Sequence, residues 1–492
     1  MSETGVDIGP GSGRWVNRPY SKFWRAASND VAGWWPFSGG SVRPSVGVPW
    51  GSDMATNAAV CGDPASLFMA SLISNPSIML YGNPGLGKST SVVRLIVGLR
   101  DRGFFPLIPG DLKGEYTNVC RALGVPTPKF GTGQTMNPLD QPALSSAIHR
   151  LGQRGEELLT QTVGRTKDLV IALLRLIRRR PLEDWEMALV GRATRLMFED
   201  RHLMDSSQEI RRAGTLADML TFLTNGGEAL QALTADSSKE EYDQTVRPLI
   251  RSFQALMDGP TGRIFSGPTS IPFDAEAGGL CVDISSIQDQ GEETMAAVMV
   301  SMWAECFGAV EAGNALADAH LIEQHHHTIV MDEMWRPMRV EGAGLVDKLD
   351  ALTRLNRYDG VCNIYVSHTP KDQRSMSSEA DAFKALGFTE RSGMLGIMGL
   401  SRADLETISE VVHLSEEEIN QVSQWNTPPG WKVRYTVGAD GRRRPSPPPG
   451  AGKILLKIGE RPGLGVRVVA TQAELDLHDT NERWVENYQG KD

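Results

Sequence analysis

Cysteine is scarce and scattered in this chain of 492 residues: Cys61, Cys120, Cys281, Cys306 and Cys362, an odd number. No two stand at C-x-x-C or metal-finger spacing, and at least two fall in runs that read as core strands. That pattern excludes a disulfide framework and points to a reducing, cytoplasmic compartment. Long hydrophobic runs are also missing. The most apolar stretch, Met295 to Val310, carries Glu305 and falls short of the ~20 residues a bilayer needs. Met1 to Gly13 has neither the basic start nor the apolar stretch of a secretory signal. The expectation is a soluble protein, or one peripheral at the inner face of the cell membrane. Basic charge is not in surplus: 50 Lys and Arg face 60 Asp and Glu, a net charge of −10. Such a balance does not suggest a broad basic face for nucleic acid, although a ring of subunits can line a narrow pore with few charges each. There is no internal repeat. What is left is ordinary globular composition, 40% hydrophobic and 22% charged, in a chain long enough for two or three domains.

Against that plain background one octamer stands out. Gly82-Asn83-Pro84-Gly85-Leu86-Gly87-Lys88-Ser89 has the G-x-x-x-x-G-K-S pattern of a phosphate-binding loop. It follows the apolar run Ile78 to Tyr81 and precedes a helix-like run from Thr90 to Leu99, the strand–loop–helix context the pattern requires. Glycines let backbone N–H groups curl around phosphate oxygens, and the following helix turns its positive end to the same anion. In this reading residues 82–90 bind a nucleoside triphosphate, with Lys88 reaching the β- and γ-phosphates and the Ser89 hydroxyl on Mg²⁺.

Four segments follow from the patterning. Residues 1–60 are polar, Gly- and Pro-rich, and hold five of the eleven tryptophans (Trp15, Trp24, Trp34, Trp35, Trp50) with Tyr20, Phe23 and Phe37. They read either as a docking arm for a partner or as a strap over the chain's own motor domain. Residues 61–140 look like the first half of a nucleotide-binding α/β domain. There a second strand, Phe104 to Ile108, ends at Pro109-Gly110, and Asp111 to Tyr116 lie past its carboxyl end, where open α/β sheets bind ligands. Residues 141–271 read as an all-helical insertion. Leu169, Val170, Leu173, Leu174 and Ile177 share one helix face, and Thr215 to Asp218 form a capping-box signature. Arg178-Arg179-Arg180 within it read as a solvated helix end or a DNA contact. From 272 to 492 strands and helices alternate again, with strands at Leu280–Ile284, Thr328–Met331, Cys362–Val366, Lys453–Ile458 and Val466–Val469. The fold class is therefore α/β, a mostly parallel sheet carrying an all-α insertion.

Asp332-Glu333 closes the strand Thr328–Met331. Two carboxylates at a strand end beside a phosphate loop suit phosphoryl transfer: Asp332 for the Mg²⁺ shell, Glu333 to activate the attacking water. His325-His326-His327, just upstream, alternate faces on an extended segment and read as a solvated approach to the strand rather than a metal site.

These motifs recur together in one family. Gly82 to Thr90, Asp111 to Tyr116, Asp332-Glu333-Met334-Trp335 and Ser367 to Asp372, in that order, resemble the motor domain of conjugation and type IV secretion ATPases of the VirB/TraC type, in the HerA–FtsK superfamily. Actinobacterial conjugative-element versions are the nearest match, and the resemblance spans about residues 61–470. It implies a RecA-like P-loop motor that hydrolyses ATP with Mg²⁺ as a homo-hexamer, energising DNA or protein transfer beside channel components or a membrane platform protein. It also implies an arginine inserted in trans onto the γ-phosphate, with Arg357 preferred over Arg354 and Arg391 in reserve. Glu115 and Lys113 would lie near the γ-phosphate. His368 stands where the family usually has a glutamine as γ-phosphate sensor. About 60 aromatic-rich residues replace the family's front domain. Two other readings stay open: a DNA translocase or coupling protein of the same superfamily, and a nucleotide-gated scaffold with little turnover.

Overall fold

The computed structural model describes residues 4–6, 14–16 and 43–478, except 132, 201–212, 272–273, 275, 277, 341–344, 347–348, 350–357, 377, 427–434, 438–442 and 447. The chain divides into two compact units, Met1–Val42 and Arg43–Asp492. In the first, Thr4–Val6 and Arg14–Val16 pair as an antiparallel hairpin, with Gly5 opposite Trp15. Trp24, Trp34 and Trp35 lie outside the described residues.

The second unit is built on one ten-stranded sheet. Its strands are β1 (Pro49–Asp53), β2 (Ala59–Cys61), β3 (Ser77–Tyr81), β4 (Phe104–Asp111), β5 (Leu280–Asp283), β6 (His326–Met331), β7 (Val361–Ser367), β8 (Met394–Ile397), β9 (Lys453–Ile458) and β10 (Leu464–Val468). They lie in the order β2-β1-β10-β9-β8-β3-β7-β6-β4-β5. The run from β8 to β5 is parallel throughout, and β9, β10, β1 and β2 extend it antiparallel. Strands buried on both faces favour near-continuous apolar runs, as in Ile78 to Tyr81 of β3 and in β7, where Asn363 is the one polar side chain before Ser367. Ile78 and Leu80 face one core cluster, Met79 and Tyr81 the other.

Helices cover both faces. On one lie α1 (Pro64–Met69), α2 (Lys88–Asp101) and α3 (Thr117–Ala122), whose Val92, Leu95, Ile96 and Val119 pack with Ile78, Leu80 and Ile364. On the other lie α4 (Pro142–Leu151), α5 (Glu156–Arg178), α6 (Asp184–Asp200), α7 (Leu216–Asn225), α8 (Glu228–Thr234), α9 (Lys239–Asp258), α10 (Pro260–Phe265) and the long α11 (Glu292–Asp318). No strand occurs among the described residues of 141–271. The capping box at Thr215 is formed, with Asp218 N–H donating to Thr215 Oγ1 at 3.3 Å and Thr215 N–H to Asp218 Oδ2 at 2.8 Å. All but α4 share one apolar cluster with the sheet, including Leu169, Leu173, Tyr242, Phe253, Met299 and Ile329, while Leu144 and Ile148 of α4 form a separate cluster with Leu158 and Leu316.

Several expectations change. The aromatic arm does not run to residue 60, because β1 and β2 pair onto β10 and Trp50 is buried to 1% exposure. Trp50 sits on β1, which has a neighbour on either side, and its ring packs into the core. The strand that was to end at Pro109-Gly110 continues to Asp111, with a register shift between Ile108 and Asp111 that accommodates a proline lacking an N–H. α11 is longer than its most apolar stretch, long enough by length and composition to cross a membrane, but 94% of that window is buried inside the protein. Arg178 is neither solvated nor free for DNA: it forms a bidentate pair with buried Glu186, both bonds 2.7 Å, and its Nε donates to Ser252. Nor are the histidines simply solvated. His325 and His327 pack against Phe105, and burial holds the His327 imidazole down to about 4.

Candidate functional site

The loop after β3 sits at the carboxyl ends of the parallel strands, between β7 and β8. Gly82 N–H donates to His368 O (3.2 Å) beyond β7, and Asn83 N–H to Gly399 O (3.3 Å) beyond β8. Gly85 and Gly87 take φ of +79° and +99°, a region where a Cβ is strained, and Gly87 caps the start of α2. Gly82 is glycine for a different reason: a Cβ there would lie 2.6 Å from Met398 Cβ. Asn83 donates to Asn426 Oδ1 (2.6 Å), and Gly452 N–H donates to Leu86 O (2.9 Å), so C-terminal segments brace the loop's far side. Pro84 and Gly85 at its tip are exposed, and Ser89 and Thr90 open α2 half-exposed.

β7 lies between β3 and β6, and this placement assembles the site. Lys88 is buried; its Nζ donates to Gly82 O and contacts His368 Nδ1 at 3.0 Å. His368 Nε2 lies 2.8 Å from Glu333 Oε1. With Nδ1 accepting from the lysine, Nε2–H donates to the carboxylate, and the imidazole joins the phosphate-loop lysine to the acidic strand end. The same Oε1 accepts from Lys113 Nζ at 2.8 Å, while the buried Glu333 Oε2 has no partner among the described residues. Glu333 adopts φ +52°, a conformation that costs a non-glycine residue about 1–2 kcal/mol. Asp332 is held at both oxygens, by its neighbour's N–H on Oδ1 and by Tyr116 Oη–H on Oδ2, each 2.9 Å.

The charges separate the two acids. Burial, then the neighbouring Glu333 charge, pushes Asp332 up to about 6. Burial alone would raise Glu333 as well, but bonds from His368 and Lys113 override it and carry the carboxyl down to about 2. Burial lowers Lys88 to about 8, opposed mainly by the field of Asp332. Lys88, Lys113, Glu115, Asp332 and Glu333 are thus within one another's electrostatic reach.

No protein-family model matches the sequence, and no curated protein is significantly similar to it. Solved structures are similar. VirB4 of Thermoanaerobacter pseudethanolicus superimposes with a TM-score of 0.64 at 16% identity, covering 89% of this chain and 100% of that one. The chain has the VirB4 fold. It is a RecA-like P-loop architecture, with a strand between the phosphate-loop strand and the acid-bearing one. The plasmid coupling protein TrwB, solved with ADP and Mg²⁺, aligns over 94% of this chain and 97% of its own at 11% identity, with a TM-score of 0.45, too loose to argue from.

Lys88, Glu115, Asp332, Glu333 and His368 come together; Arg354 and Arg357 lie outside the described residues. Arg391 is exposed at the end of α14 (Glu379–Arg391), its guanidinium 5.4 Å from the Phe388 ring, and precedes β8 at the amino ends of the parallel strands, opposite the phosphate loop. Sequence reasoning missed Asp111. Its carboxylate accepts from the N–H groups of Glu115, Tyr116 and Thr117 and from Thr117 Oγ1, at 2.9–3.1 Å, tying down the turn that carries Lys113, Glu115 and Tyr116. An aspartate at a strand end, three residues before a glycine and six before a threonine, is the signal that was available.

Proposed function

We propose that this chain is a Mg²⁺-dependent ATPase working as a homo-hexameric motor in a conjugation-type, type IV secretion machine, cytoplasmic or peripheral at the inner face of the membrane. The observation that carries the reading is the Lys88–His368–Glu333 connection, which unites the phosphate loop and the acidic strand end in one cleft. The residues fit Mg²⁺. A hydroxyl (Ser89), a half-buried carboxylate (Asp332) and Glu333 Oε2, which has no partner among the described residues, supply the hard oxygen donors and water acceptor that the ion favours. When bound with ATP, Mg²⁺ would neutralise charge on the β- and γ-phosphates.

The chain's own groups have distinct tasks. Residues 82–90 wrap the triphosphate, and Lys88 exchanges Gly82 O and His368 for phosphate oxygens. Glu333 is held too acidic by Lys113 and His368 to be a strong base in this arrangement, so its free Oε2 serves first to orient the attacking water. His368, released from Lys88, is positioned to report the γ-phosphate to Glu333. Glu115, whose buried Oε2 also lacks a partner among the described residues, lies on the neighbouring turn with Lys113. An arginine from the next subunit, Arg357 first, completes the site and is worth about 10³–10⁵ in rate in phosphoryl transfer. Actinobacterial conjugative elements are the source the motif resemblance favours, with channel components or a platform protein as partners. DNA is the cargo or track in the translocase reading, which the same site would serve.

Turnover of ATP by the full chain tests this directly. Glu333→Gln should bind ATP normally and lose at least 100-fold in turnover, and Lys88→Ala should lose binding. Unchanged hydrolysis in Glu333→Gln would sink the assignment. Stimulation by DNA that fades steeply with salt would favour the translocase reading.

A further inference from the structure

Asp332 carries the metal in the reading above, and the following rests on that reading. A carboxylate ligand works only if its lone pairs already face the ion, and buried ligands owe that orientation to neighbouring donors. Here Oδ1 is taken by the Glu333 N–H and Oδ2 by the Tyr116 hydroxyl, each at 2.9 Å. One bond is local to the strand end. The other crosses from a different strand, because Tyr116 follows β4 whereas Asp332 follows β6.

Tyr116 is itself fixed. It is 1% exposed, its ring packs in the core of the α2–α3 face, and its N–H donates to Asp111 Oδ2 at 2.9 Å. Asp111 accepts from three successive backbone N–H groups and the Thr117 hydroxyl, so the turn has little freedom to move the ring. A buried tyrosine hydroxyl needs a partner, and phenylalanine would fill the same apolar space without one. The hydroxyl is therefore unexplained by packing and explained by Asp332.

We propose that Tyr116 is a positioning residue for Mg²⁺. Anchored by Asp111, it holds Asp332 Oδ2 so that the remaining lone pairs face the ion. It sets metal affinity while leaving the phosphate loop's own grip untouched, and the Asp111–Tyr116–Asp332 chain ties the end of β4 to that of β6.

The test uses the full chain and a fluorescent ATP analogue, with binding measured in excess EDTA and across a Mg²⁺ titration. Tyr116→Phe should bind within about twofold of wild type in EDTA but need at least tenfold more Mg²⁺ for half its effect, as loss of an outer partner usually costs 10–100-fold in metal affinity. Asp332→Asn should shift the same curve at least as far. If Tyr116→Phe overlays wild type while Asp332→Asn shifts, the positioning role is wrong and the metal assignment stands. If neither shifts, Asp332 is not the metal residue and the proposal falls with it. Should Tyr116→Phe fail to fold, Asp111→Asn, which unpins the turn and keeps the ring, must show the same tenfold shift; an unchanged curve there overturns the proposal.

Discussion

Lys88 shows how a functional residue is carried at a cost to the fold. Its ammonium is buried and drawn down to about 8 against 10.5 in the open chain. Between those values the unfolded chain binds more protons than the folded one, so the residue's contribution to stability grows as pH rises from 8 to 10.5. It is lost as pH falls through 8. At pH 7 the buried charge is therefore a burden of about 1–3 kcal/mol, allowing for its bonds to Gly82 O and His368. Lys88→Met should melt at a higher temperature than wild type without nucleotide at pH 7, while ATP binding disappears. A lower midpoint would mean that the two bonds outweigh the burial. Glu333 works in the opposite sense. Its acidity of about 2 reflects bonds that stabilise the folded state above pH 4.5 and are lost as pH falls from there toward 2.

At the scale of elements, the phosphate loop is held by what packs around it. Gly82→Ala would drive a Cβ to 2.6 Å from Met398 Cβ, an atom that cannot rotate away. A cost of about 1–3 kcal/mol in chemical denaturation and weaker nucleotide binding are the expected results. The last described helix, α17 (Gln472–Leu477), docks on α2 through one residue. Glu474 caps its own helix with Thr471 and accepts two bonds from Arg94 Nη1, at 2.9 and 3.2 Å. His478 just beyond it contacts Glu115 O at 3.0 Å. Glu474→Ala removes the cap and leaves the half-buried Arg94 without its carboxylate, for about 1–3 kcal/mol. Limited proteolysis should then clip the C-terminal segment at protease concentrations that spare wild type. Equal resistance would show that Glu474 is not what holds the helix in place.

For the whole molecule, the motor reading needs a second copy. Native mass measurement should find hexamers with ATP and Mg²⁺, and turnover per chain should rise with protein concentration. A chain that stays monomeric while hydrolysing at full rate would contradict the ring. Arg357→Ala should keep nucleotide binding and lose turnover by 100-fold or more. Mixed with Glu333→Gln, it should recover part of the activity, because an active interface can form from the intact acid of one chain and the intact arginine of the other. Failure of every mixing ratio to recover turnover would place the arginine in its own subunit's site or nowhere near it.

The phosphate loop, the acidic strand end and the alternation of strands and helices were readable from the chain itself, because each depends on neighbours a few residues away: glycines in a turn, carboxylates closing an apolar run, a period of 2 or 3.6. Arg178 and His327 were misread, and the two readings of Trp50 were left open, for the converse reason. Whether a tryptophan, an arginine or a histidine meets solvent depends on partners far along the chain, here β10, Ser252 and Phe105. The same limit hid Tyr116, whose hydroxyl reaches Asp332 only because β4 and β6 lie side by side, whereas the Asp111 turn is local to residues 111–117. Local sequence specified which groups the protein owns. Tertiary structure alone decided that Lys88, His368 and Glu333 touch, since hydrogen bonds act over about 3 Å and only sheet order brings residues 280 positions apart within that range.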